Sequence, residues 1–143
     1  MIDLMPIMEP IIIDDVSLSL WREYSQEPND VLASLIFVLR NRANLQHTDL
    51  ETACKTSGLF RSWNTDHHKY QSIPLEDDFV YRRIYMLVHG AIAAYTNIIG
   101  PSTVWFDTKS EYVNLFELNK DRYQLVTIFK KFRFYYEIGW SGI

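Results

Sequence analysis

Residues 18–42 read LSLWREYSQEPNDVLASLIFVLRNR, and the way this stretch divides decides the fold. Pro28 has no amide hydrogen and pushes the residue before it out of helical geometry, so it ends a first helix. Val31 to Leu39 is apolar at almost every position, which describes a second helix buried on most sides. Glu23 therefore falls in the last turn of a short amphipathic helix, beside a chain reversal. A carboxylate presented next to a buried helix is open to partial desolvation. Desolvation raises its pKa and suits it to general acid chemistry, whereas an ordinary glutamate is a solvated surface group.

Working outward, helix one is expected over about Val16 to Gln26, with Leu18, Leu20 and Trp21 inward. Helix two follows a cap at Asn29 or Asp30 and runs to about Arg42. Helix three is expected from Thr48 as N-cap to Thr56, with Thr48 and Glu51 as a capping box and Gly58 as the stop. Leu59 to Pro74 reads as loop. Helix four is expected from near Leu75 to about Asn97, its apolar face formed by Val80, Ile84, Leu87, Val88, Ala91, Ile92 and Tyr95. Glu76-Asp77-Asp78 suits the dipole at that helix's start. After Gly100-Pro101 the pattern changes. Thr103 to Phe106 and Val126 to Tyr136 are rich in β-branched and aromatic residues, with Lys130-Lys131 as a turn between two short strands. The fold class is α+β, mostly α: about four main helices and a small C-terminal β element.

The chain has 143 residues, enough for one real core and too few for two, and it reads as a single domain without repeats or linkers. Hydrophobic residues make up 48% and aromatics 15%, which excludes disorder. A net charge of −4 without a basic run argues against nucleic acid as a partner. The lone cysteine, Cys54, excludes an internal disulfide and packs as a small apolar residue on helix three. The N-terminal stretch MIDLMPIMEPIIIDD lacks Lys and Arg and contains Pro6 and Pro10, so it is read as neither signal peptide nor membrane span. It is expected to form an extended arm that packs on the domain or on a protein partner. Asp66, His67 and His68 raise the question of a metal site with His47 or His89. Adjacent histidines on an extended segment point to opposite sides and no helical His pair accompanies them, so they are read as loop histidines with no metal. Trp63-Asn64 has the better claim to binding, since an indole stacks on a sugar face and an amide can bond an N-acetyl group; the alternative is a plug that packs the loop.

Four blocks in order carry a resemblance. Glu23, Glu27 and Pro28 followed by a long apolar helix ending in Asn41-Arg42, together with LFRSWN (Leu59 to Asn64), resemble the cell-wall hydrolase family typified by spore-cortex-lytic enzymes. GPSTVWF (Gly100 to Phe106) sits where that family has Asp-Pro-Thr-x-Gly-Ala and paired aromatic or His residues. FRFYY (Phe132 to Tyr136) is similar to its closing strand. The likeness covers roughly residues 16 to 137. The small residues usual around the catalytic Glu are replaced by Arg22, Tyr24 and Gln26, and the Gly-x-His before the final strand is not found in Phe129 to Phe132. A diverged, phage-encoded member is the expectation.

The resemblance implies a lysozyme-like fold and cleavage of peptidoglycan between N-acetylmuramic acid and N-acetylglucosamine, without a cofactor. Glu23 would be the catalytic acid, with Trp63, Asn64, Thr103, Trp105 and Tyr135 binding substrate. A lytic transglycosylase needs one carboxylate, whereas a hydrolase pairs two at about 5–9 Å, for which Glu27 and Asp107 are the candidates. The alternative is a non-catalytic phage structural or inhibitor protein that keeps the fold. Without a signal peptide, the chain would be made in the cytoplasm and act at the bacterial wall after release or as part of a virion.

Overall fold

The computed structural model describes residues 12–55, 59–60, 72–108 and 121–140. Its elements are α1 (Asp15–Tyr24), α2 (Asn29–Gln46), α3 (Leu50–Lys55), α4 (Phe79–Val88), a short 3-10 helix (Ala91–Ala94), β1 (Trp105–Thr108), β2 (Tyr123–Phe129) and β3 (Phe132–Glu137). Among the described residues, four α-helices and a three-stranded sheet towards the C-terminus make the fold α+β and mostly α. Among the described residues no helix is long and apolar enough to cross a membrane.

Asp14 starts α1, its carboxylate accepting from the Ser17 amide at 2.8 Å and the Ser17 hydroxyl at 2.9 Å, which satisfies donors left open at a helix start. The helix stops at Tyr24, two residues before the expected Gln26, and the Glu27 amide closes back on the Tyr24 carbonyl at 3.0 Å. Pro28 then precedes α2, as its fixed φ allows. That helix extends a full turn beyond Arg42. It ends where His47 takes a left-handed φ of 54° and the Thr48 amide donates to the Ala43 carbonyl at 2.9 Å. The cap of α3 is Asp49 rather than Thr48, because the Asp49 carboxylate accepts from the Thr52 amide at 2.7 Å.

The fourth helix is much shorter than expected. Asp78 caps it through the Tyr81 amide at 2.9 Å, so Leu75 lies outside. It breaks at Gly90, whose φ of 156° is open to glycine and rarely to other residues, and a 3-10 turn carries the chain on. Ile84, Leu87, Val88 and Ile92 are buried as expected, while Val80 and Ala91 are exposed.

The sheet has the order β1-β3-β2, antiparallel throughout, with Phe106 opposite Phe134 and Asp107 opposite Arg133. The hairpin turn is at Lys130-Lys131, as the sequence reading placed it, with Lys130 at a φ of 54°. β1 begins at Trp105, two residues after the expected Thr103. Alternation along the strands sends Phe106, Phe132 and Phe134 into the core, with Leu20, Val31, Leu35, Leu39 and Ile84 from the helices. Tyr24, at the end of α1, meets Phe60, Phe106 and Phe132 edge-on, with ring centroids 5.9, 5.6 and 5.8 Å away. This aromatic contact seats the end of α1 against the sheet.

Candidate active site

Glu23 occupies the last turn of α1 and is half-buried, one residue before the Tyr24 ring cluster. Its neighbour Arg22 donates from Nε to the Ser72 carbonyl at 2.8 Å. Burial pulls the Arg22 pKa down, opposed by the carboxylates of Asp15 and Glu23.

The turn after Glu23 is held from two sides. From α4, Arg83 Nη1 donates to the Glu27 carbonyl at 3.2 Å and to Asn29 Oδ1 at 2.6 Å. Its Nη2 donates to the Ser25 carbonyl at 3.3 Å. From the hairpin tip, Lys131 ion-pairs with Glu27, and Lys130 Nζ reaches both Asp30 oxygens at 3.0 and 2.8 Å. The hydrogen bond from Lys130 holds the Asp30 pKa below its ordinary value.

Both candidate second carboxylates are buried in ion pairs. Glu27 is 8% exposed and faces Lys131. Asp107 is 4% exposed and takes a bidentate grip from Arg133, Nε to Oδ1 and Nη2 to Oδ2, each at 2.8 Å. The same Nη2 donates to the Thr108 carbonyl at 2.9 Å. Each strand pins the other across the register, and the carboxylate carries a compensated charge.

The expected substrate contacts fall in three places. Trp63 and Asn64, like Asp66, His67 and His68, lie outside the described residues. Thr103 is fully buried, and its hydroxyl donates to the Ile99 carbonyl at 2.6 Å. Tyr135 is buried at 4% exposure opposite Trp105. Trp105 is half-buried, and its indole donates to Glu137 Oε1 at 2.8 Å while the Arg42 guanidinium stacks 4.2 Å from its ring. Arg42 is itself fully buried and donates from Nε to the Val104 carbonyl at 2.7 Å. Burial lowers its pKa to about 10, partly offset by the Glu137 carboxylate. Thr103, Trp105 and Tyr135 thus sit together around the entry to β1, in a corner tied to the far end of α2.

Among the described residues no three His, Cys, Asp or Glu side chains gather as a metal site. His47 closes α2, and His89 meets the Asp14 carboxylate at 2.7 Å. The residues that sequence reasoning passed over are cations: Arg83 as a donor to backbone carbonyls and Asn29, and Arg133 and the two hairpin lysines as partners of acids. No local pattern marks them, since each pairs across a long sequence separation. No protein-family model, curated protein or solved structure matches the chain.

Proposed function

We propose that this chain cleaves the glycan strand of peptidoglycan between N-acetylmuramic acid and N-acetylglucosamine, as a lytic transglycosylase with Glu23 as general acid. One observation carries the reading. Glu23 keeps solvent access at the end of a braced helix, while the two acids that would make a hydrolase, Glu27 and Asp107, are buried against Lys131 and Arg133. The motif resemblance built on Glu23, Pro28 and Asn41-Arg42, and the lysozyme-like fold it implies, support the same assignment.

The chemistry then needs one carboxyl group. Glu23 protonates the glycosidic oxygen as its bond to the muramic anomeric carbon breaks. The muramic C6 hydroxyl attacks that carbon, and its proton returns to Glu23. No water is consumed, and the product ends are 1,6-anhydro. Such an enzyme would reach the wall after release from the cell or as part of a virion.

Purified peptidoglycan incubated with the protein should yield soluble muropeptides detectable by mass spectrometry. Glu23→Gln keeps the shape and cannot deliver a proton, so release should fall about 10²–10⁴-fold with folding intact. Unchanged release would remove Glu23 from the mechanism. A second reading, a non-catalytic virion or inhibitor protein of the same fold, draws support from the burial of Thr103 and Tyr135, which leaves little of either for a sugar. The absence of muropeptide release by the unaltered protein would favour it.

A further inference from the structure

We propose that Arg83 of α4 is a positioning residue for Glu23, an inference that rests on the reading of Glu23 as the acid. A helix end leaves its last carbonyls without intrahelical partners and frays unless something holds it. Glu23 lies in that last turn; Tyr24 seats the helix end on the sheet through its ring, and the backbone that leaves the helix from Ser25 to Asn29 needs holds of its own. The turn makes one closing bond of its own, Glu27 amide to Tyr24 carbonyl at 3.0 Å.

Arg83 adds three bonds from a different helix. Its two Nη atoms take the Ser25 carbonyl, the Glu27 carbonyl and Asn29 Oδ1, spanning the reversal from the end of α1 to the first residue of α2. A planar fork suits this task, because one rigid group fixes three acceptors at once. The guanidinium also brings positive charge to the C-terminal end of α1, where the helix dipole favours it. The hairpin lysines act on the same turn differently: they hold the carboxylates of Glu27 and Asp30 and leave the backbone to Arg83. α4 holds the start of α1 through Tyr81 and His89, both at Asp14, and Arg83 is the contact by which it reaches the turn after Glu23.

A proton donor misplaced by about 1 Å loses on the order of 10²-fold in rate without losing substrate affinity. Lysine at position 83 keeps the charge and cannot span the three acceptors. The test measures kcat and KM on soluble glycan strands for the unaltered protein, Glu23→Gln and Arg83→Lys, with amide hydrogen exchange on each. The expected result is a kcat lowered about 10–100-fold in Arg83→Lys at nearly unchanged KM, with faster exchange confined to the Ser25–Asn29 turn. An unchanged kcat overturns the positioning role and leaves Glu23 standing. A loss accompanied by faster exchange throughout α1 and α2 also overturns it, since Arg83 would then serve the fold as a whole. An inactive unaltered protein, or an active Glu23→Gln, removes the Glu23 reading and this inference with it.

Discussion

At its C-terminal end α2 is anchored through buried side chains, Asn41 donating to the Gly100 and Thr103 carbonyls at 2.8 and 2.9 Å and Arg42 to Val104. At its N-terminal end, next to Glu23, it is held by the half-exposed Arg83 and by the surface lysines of the hairpin. One end fixes the entry to β1 by bonds that are mostly shielded from water and salt. The other fixes the candidate acid by charges that solvent screens and pH adjusts. The two ends of α2 are thus tied by different physics, mainly buried hydrogen bonds at one and more solvated charges at the other.

The largest effect expected from breaking this arrangement is at Asp107, which belongs to the buried side of the comparison. Asp107→Asn removes the carboxylate that Arg133 grips at both oxygens and should cost about 3 kcal/mol in denaturant unfolding. Under conditions where the variant is folded it should still release anhydro ends, which separates a structural acid from a catalytic one. Asn41→Ala comes next. One buried and one part-buried carbonyl lose their donor, so about 2 kcal/mol is expected, with little dependence on salt. Loss of activity in proportion to the folded fraction would confirm that this end supports the fold alone.

Lys130→Ala probes the exposed end and should cost well under about 1 kcal/mol, because both partners are largely solvated. Its signature lies in pH. Lys130 depresses the Asp30 pKa, so the contribution is present above the ordinary carboxylate value of 3.8 and is lost as pH falls below it. The unaltered protein should therefore lose stability more steeply with acid in that range than Lys130→Ala does. Equal slopes, measured by urea unfolding from pH 5 down to pH 2, would show the pair to be inert.

The same division explains how much was legible in sequence. The apolar run Val31 to Leu39, the stop at Pro28 and the Lys130-Lys131 turn are local signals, and α2 and the hairpin follow them. The fourth helix misled because Ile84, Leu87, Val88 and Ile92 keep helical spacing on both sides of Gly90, and periodicity does not register a break that preserves the buried face. Thr48 and Asp49 are both good caps, and only the Thr52 amide chooses between them. Glu23 stood out because its motif is contiguous. The commitment of Glu27 and Asp107 was hidden, since Arg133 reaches Asp107 only once β1 and β3 pair, and Lys131 reaches Glu27 only once the hairpin meets the helices.

The measurement that bears most directly on the single-glutamate account is the mass of the muramic ends released from purified peptidoglycan by the unaltered protein. Glu27 and Asp107, the two candidate second carboxylates, are both held by cations, which is the observation the single-glutamate account rests on. The account predicts 1,6-anhydro ends, one water lighter than hydrolysed ends. Reducing ends, with activity lost in folded Asp107→Asn, would contradict it and make the enzyme a hydrolase.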